Sequence, residues 1–293
     1  MHEPTLNSHP HPVQQNRLWL FANSNINKEL TMRVWIAMIM MGLTGLAQAA
    51  IKTEQIDYKS ADGTKLVGYY AYDDAVKGPR PGVLVVHEWW GLNDYAKRRA
   101  RDLAALGYSA MAIDMYGEGK NTEHPKDAMA FMQAALKDSD AADKRFDAGL
   151  EQLKKQPQTD PKKIAAIGYC FGGKIVLDAA RRGEPLLGVV SFHGALVTNT
   201  PAKPGIKVPM LVEHGAKDSM VTPENVTAFK KEMDDAKADY KFVSIDGAKH
   251  GFTNPDADRL SHGEHGGPDI GYSKSADESS WADMKEFFKK IFG

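Results

Sequence analysis

Cys170 is the only cysteine in the chain, and its neighbours give it chemistry to do. It stands in Gly168-Tyr169-Cys170-Phe171-Gly172-Gly173, with the apolar run Ile164 to Ile167 before it and a second run of helical spacing after it. Glycine two residues to either side of a nucleophile, between a strand and a helix, is the nucleophile-elbow pattern, with sulfur here in place of a serine oxygen. The requirement is steric. A sharp turn holds the nucleophile in strained backbone geometry, and no side chain fits two residues before or after it. The helix that begins there points free N–H groups at the sulfur, which favours thiolate. A buried structural cysteine is the bland alternative. What decides between the two is whether an acid and a histidine follow in suitable places.

They do. Asp218 ends the segment His214-Gly215-Ala216-Lys217-Asp218, and His250 lies in Gly247-Ala248-Lys249-His250-Gly251-Phe252. Nucleophile, acid and histidine in that order is the chain order of an α/β-hydrolase triad. The histidine takes or holds the thiol proton, and an ionised carboxylate fixes its tautomer and orientation. A turn-forming aspartate and a loop histidine are unremarkable singly; their conjunction with the elbow carries the reading.

The elements needed to position these residues can be traced in the sequence. Ile51 to Tyr58 and Lys65 to Tyr72 are strand-like and flank an Asp62-Gly63 turn, so they predict an antiparallel hairpin. Val83 to His87, Tyr108 to Ile113, Leu187 to Phe192, Val208 to Glu213 and Tyr240 to Ile245 read as further strands, the β-branched ones buried on both faces. Helices are expected at about 96–106, 125–137, 140–155, from the elbow to Arg182, at 223–236 and at 276–292, with a Gly-rich loop up to Gly271. Alternating strands and helices, with polar residues collected at strand ends, predict an α/β fold: an open, mostly parallel sheet flanked by helices on both faces.

The composition bounds the rest. A 293-residue chain of net charge −1, without a basic patch bearing interleaved aromatics, excludes a nucleic-acid partner. Met32-Arg33, the apolar stretch Val34 to Leu46 and Ala47-Gln48-Ala49 form a secretory signal peptide, too short to span a membrane. The expected mature protein starts after Ala49 and is periplasmic or secreted, free of the membrane once processed, and a monomer. Residues 1–31 are then a disordered upstream extension, residues 32–49 the signal and residues 50–293 one catalytic domain. A long n-region or an uncleaved anchor is the alternative. His262 and His265 have H-x-x-H spacing, but in a Gly-rich loop a flap over the site is the better reading than a metal centre. No metal and no cofactor is called for.

Residues 51–293 resemble the dienelactone hydrolases (carboxymethylenebutenolidases). The resemblance rests on G-Y-C-F-G-G at 168–173, H-E-W-W-G at 87–91, D-M-Y-G at 114–117, H-G-A-K-D at 214–218 and G-A-K-H-G-F at 247–252. It implies an α/β-hydrolase fold and hydrolysis of a small-molecule ester or lactone through a Cys170-His250-Asp218 triad and a thioester. It places Glu88 beside the resting thiol as the acceptor of its proton. Backbone N–H groups of Trp89 and Phe171 would form the oxyanion hole, with Trp90 and Tyr116 lining the substrate site. A cysteine acyltransferase or peptidase would share the triad, and a non-catalytic binding protein would keep the fold alone. The family's two carboxylate-gripping arginines are missing. The segment after the histidine reads Phe252-Thr253-Asn254, and residues 118–137 contain no Arg. Lysine does not replace a bidentate guanidinium clamp, so a smaller or less acidic ester is expected.

Overall fold

A central eight-stranded sheet organises the computed structural model, which describes residues 51–261 and 268–293. The elements run β1 (Ile51–Lys59), β2 (Lys65–Asp73), β3 (Arg80–Val86), α1 (Asp94–Ala105), β4 (Ser109–Ile113), α2 (Pro125–Leu136), α3 (Ser139–Lys154), β5 (Thr159–Tyr169), α4 (Phe171–Arg182), β6 (Val189–Phe192), β7 (Met210–Gly215), α5 (Pro223–Asp235), β8 (Tyr240–Ile245), α6 (Ala257–Ser261) and α7 (Lys274–Phe292). The expectations for residues 1–31 and 32–49, and the His262/His265 pair, lie outside the described residues. Among the described residues, no helix is long and apolar enough to cross a membrane.

The spatial order is β1-β2-β4-β3-β5-β6-β7-β8. β1 and β2 form the expected antiparallel hairpin, and β2 joins β4 antiparallel. Every pairing from β4 to β8 is parallel. The two-residue period of a strand sorts its side chains to opposite faces. Leu84, Val86 and Ala166 meet α3, α4 and α5 on one face through residues such as Phe146, Leu150, Val176 and Phe229. Val83, Val85, Ala165 and Ile167 meet α1 and α7 on the other through Leu103, Met284 and Phe288. This is the α/β-hydrolase architecture.

Three local differences from the sequence reading have physical causes. β5 starts at Thr159, five residues before the apolar run, because Thr159 and Asp160 pair with Arg80 and Pro81 before the register shifts to Ile164 opposite Gly82. Pro161 and the exposed Lys162 and Lys163 hid that first part. β6 begins at Val189, after Gly188, where a Cβ would run into Phe287 and Ile291 of α7. The Gly-rich loop after β8 also contains the single turn α6, held by Ala257 and Leu260, both buried.

Because β3, β5, β6, β7 and β8 are parallel, their C-terminal ends share one edge of the sheet. The chain turns one way from β3 to β4 and the other way from β5 to β6. The crevice between β3 and β5 is therefore the topological switch point where ligands bind in such sheets. Cys170 follows β5 there.

Candidate active site

The elbow is built by close contact. Cys170 has φ 53° and ψ −114°, outside the comfortable regions for a residue with a side chain. Such geometry costs of order 1–3 kcal/mol and persists only when its surroundings impose it. A Cβ on Gly172 would meet the carbonyl oxygen of Val86 at 2.2 Å, and one on Gly173 would meet Ser191 Oγ at 2.6 Å. The N–H of Cys170 donates to Phe192 O at 3.0 Å, which anchors the turn to β6. Phe171 is the first residue of α4, and no side chain caps this helix. Its N–H therefore has no acceptor within the helix and faces the site end.

Asp218 and His250 are brought together as the sequence suggested. Asp218 Oδ2 accepts from His250 Nδ1 at 2.8 Å, and its Oδ1 accepts the N–H groups of Met220 at 2.9 Å and Val221 at 3.2 Å. The loops carrying them are tied by their backbones: Ala216 N–H donates to Ile245 O and Lys217 N–H to Ala248 O. Asp269 adds a tie outside, accepting from Ser219 Oγ and Lys249 Nζ. Burial works against a charged imidazole at His250. A thiolate at Cys170 and the Asp218 hydrogen bond outweigh it and push the ring above the ordinary histidine range. Nε2 of His250 is buried without an oxygen or nitrogen partner among the described residues, so it is the nitrogen left for chemistry.

The loop after β3 supplies the remaining parts. The carbonyl oxygen of Glu88 accepts from His87 Nδ1 at 2.5 Å and from Gly91 N–H at 3.1 Å. His87 Nε2 in turn accepts the Met115 N–H at 3.2 Å, which fixes the tautomer; burial keeps this ring neutral. In a trans peptide the N–H points opposite its C=O. Two donors on Glu88 O thus set the direction of the Trp89 N–H. His87 is a functional-site residue that the sequence reading passed over; its signal was its position at the strand end.

Tyr116 is buried, and its hydroxyl donates to Trp89 O at 3.0 Å. Its ring lies 4.8 Å from His87 and 5.5 Å from Phe171, centroid to centroid. Burial, and then the charge of Cys170, make its hydroxyl harder to ionise. The two tryptophans separate. Trp90 is 1% exposed and packs with Ala128, Ala257, Leu260 and Ile270, so it offers little free surface. Trp89 is half-buried beside it.

Glu88 is held from a side the sequence did not indicate. Its carboxylate is buried, and Asn254 Nδ2 donates to its Oε2 at 2.7 Å. Burial raises its pKa to about 7, against the opposing pull of Asn254, His250 and Arg99. Asn254 was legible only as a position lacking an arginine. Next to it, Thr253 Oγ1 joins His193 Nε2 at 2.7 Å and Tyr95 Oη at 2.6 Å, and Arg99 Nη2 donates to Thr253 O at 2.8 Å. His193, at a strained φ of 40°, lies edge-on to His250 with ring centroids 5.1 Å apart. This packing behind the catalytic-type histidine had no signature beyond a His-Gly at a strand end.

Two cations near the site are paired with carboxylates. Arg259 grips both carboxylate oxygens of Glu123, at 2.9 and 2.8 Å, and Lys249 holds Asp269. Arg145 donates to Met115 O. The arrangement as a whole can present a sulfur nucleophile, an oriented histidine, two backbone donors and a buried carboxylate that ionises near neutrality.

Comparison with known proteins agrees. Residues 66–292 match the model of the Dienelactone hydrolase family. The protein usf of Aquifex pyrophilus is 33% identical over 199 residues, 66% of this chain and 84% of its own length. An Aquifex aeolicus protein provisionally named carboxymethylenebutenolidase is 32% identical over 198 residues, again 66% of this chain and 84% of its own. Among solved structures, a dienelactone hydrolase-like promiscuous phosphotriesterase from metagenomic libraries superposes with a TM-score of 0.76 at 38% identity, covering 83% of this chain and all of that one.

Proposed function

The chain belongs to the dienelactone hydrolase family and is a hydrolase of esters or lactones; we propose that it works through a thioester on Cys170 and prefers uncharged substrates. The observation that carries this reading is the 2.8 Å bond from Asp218 to His250 at the neighbouring strand ends of a cysteine elbow.

The thiol must first lose its proton, and the charge this leaves on sulfur favours a protonated His250 beside it. Glu88, buried and ionising near pH 7, is the base for that step. The thiolate attacks the carbonyl carbon, forming a C–S bond and placing negative charge on the oxygen. The N–H groups of Trp89 and Phe171 receive that charge. As the C–O bond breaks, His250 Nε2 protonates the leaving alkoxide. The now neutral imidazole takes a proton from water, the hydroxide adds to the thioester, and the C–S bond breaks to release the acid and the thiolate. The step needs no metal.

The neutral-substrate preference rests on these pairings. Asn254, not an arginine, stands against Glu88, and Arg259 is paired with Glu123, so neither position supplies the fork geometry a carboxylate takes from arginine. Trp89 offers its ring to an acyl group. The similarity to a promiscuous phosphotriesterase favours a second reaction at the same sulfur: attack on a phosphotriester, with loss of its aryloxide and hydrolysis of the S–P bond.

The test is Cys170→Ala against wild type on an aryl acetate, with mass spectrometry of the quenched enzyme. Loss of turnover together with an acyl adduct on the wild-type Cys170 peptide is expected. Ordinary turnover by Cys170→Ala would overturn the scheme. A paraoxon-type triester in the same assay reads out the second reaction. Export through Met32 to Ala49 is part of the proposal; a mature N-terminus at Ala50 supports it, and one at Met1 refutes it.

A further inference from the structure

Asn254 is 1% exposed, and its carboxamide is sorted end from end. Oδ1 accepts the N–H of Asp256 at 3.0 Å, so Nδ2 is the end left to donate, and it donates to Glu88 Oε2 at 2.7 Å. The backbone is fixed as well: the Asn254 N–H donates to Gly251 O, and its C=O accepts from Ala257 N–H, both at 2.9 Å. The side chain therefore has one place to be, against the carboxylate, four residues beyond His250 in the same loop.

We propose that Asn254 is a positioning residue for the reaction: its carboxamide holds Glu88 Oε2 and so decides whether that carboxylate is free to take the thiol proton. The proposal rests on Glu88 being the proton acceptor.

The argument is one of donor strength. A buried carboxylate with no donor goes neutral and can accept nothing. A guanidinium in the same place would keep it ionised, but as a weak base locked in a bidentate pair. A neutral amide lies between the two. It gives one hydrogen bond to the ionised form, enough to offset part of the burial without suppressing basicity. The other groups acting on Glu88 are His250 and Arg99, which favour its charge, and Asp256, which opposes it; burial opposes it most. Of these influences, Asn254 is the one in hydrogen-bond contact.

Asn254→Asp separates this role from a structural one. The aspartate keeps Oδ1 for the Asp256 N–H and keeps the shape, but turns the donor into a second carboxylate facing Glu88. One of two such acids is then driven to hold a proton. The acidic limb of the kcat/KM profile on an aryl acetate should move up by about one pH unit, which is roughly a fivefold loss at pH 7 and almost none at pH 9. Asn254→Ala, which removes the donor without adding charge, should shift the limb the same way. Rates of Cys170 alkylation by iodoacetamide should track the limb. In Glu88→Gln the limb should vanish, and Asn254→Asp on that background should change the profile no further. If Glu88→Gln leaves both limb and rate as in wild type, the reading of Glu88 fails. If Glu88→Gln removes the limb while folded Asn254→Asp and Asn254→Ala keep the wild-type profile, the proposal for Asn254 is overturned.

Discussion

Gly168 and Gly172 stand against each other across the Cys170 turn: a Cβ on Gly168 would lie 2.0 Å from the carbonyl oxygen of Gly172. The obstacle is backbone, so it cannot swing aside as a side chain would. Gly168→Ala should cost ~3 kcal/mol or more, or prevent folding, since overpacking against main chain has no cheap relaxation. Gly183→Ala is the control. Nothing lies within 4 Å of its Cβ position, and only its φ of +78° is unfavourable, so a loss of about 1 kcal/mol is expected. Urea titrations of the two variants check the contrast.

Asp218→Asn should leave the fold intact and lower kcat on the order of 10³-fold or more, because an amide can stabilise the wrong tautomer of His250. The sign of the pH effect follows from the raised pKa of His250. Its contribution to stability is complete below the unfolded value of 6.5 and is lost as pH rises through the higher folded value. Without the carboxylate the folded value falls, so the part of the thermal-stability profile above pH 6.5 should decline at lower pH in Asp218→Asn than in wild type.

Glu213 in β7 is fully buried, and neither carboxylate oxygen has a hydrogen-bond partner among the described residues. Burial, with the Asp283 charge, raises its pKa to about 8 from 4.5. The native state keeps a proton that the unfolded chain releases, so stability falls as pH rises from 4.5 to 8. Glu88 adds a loss of the same sign between 4.5 and about 7. Glu213→Gln should flatten the pH dependence and raise stability at pH 9 by about 3 kcal/mol. Calorimetry at pH 5 and pH 9 measures it; equal gains at both would refute a charge effect.

An aryl acetate should be turned over at least tenfold more efficiently than the corresponding ester bearing a carboxylate, since Arg259, in the pocket lined by Asn254, is paired with Glu123. Releasing it with Glu123→Gln should narrow the ratio by improving KM for the charged ester. Paired kcat and KM values on the two esters decide the matter.

The sheet and the placement of Asp218 and His250 were legible because parallel, doubly buried strands leave continuous apolar runs such as Val83 to Val86, and each run ends at the same edge. The elbow was legible for a steric reason: few structures need glycine both before and after a single cysteine. Trp90, Asn254 and Thr253 were not. Whether a tryptophan faces a ligand or a core depends on α2 and α6 closing over it, and neither helix leaves a mark on Trp90 itself. Asn254 reads as a turn former, and it is one, through Asp256; only the fold brings its other end to Glu88, 166 positions earlier. His193 and Thr253 meet across 60 positions, a distance over which no local pattern reports.

The order of the strands has a consequence for the life of the molecule before it is finished. Cys170 follows β5, Asp218 follows β7 and His250 follows β8, the last strand to be made. A growing chain that has already presented Glu88 and its sulfur lacks His250 until some eighty more residues have been synthesised, a gap set by positions 170 and 250. Even then Asp269 must arrive to bind Ser219 and Lys249 together. The Asp218–His250 pair is thus completed only with closure of the far edge of the sheet.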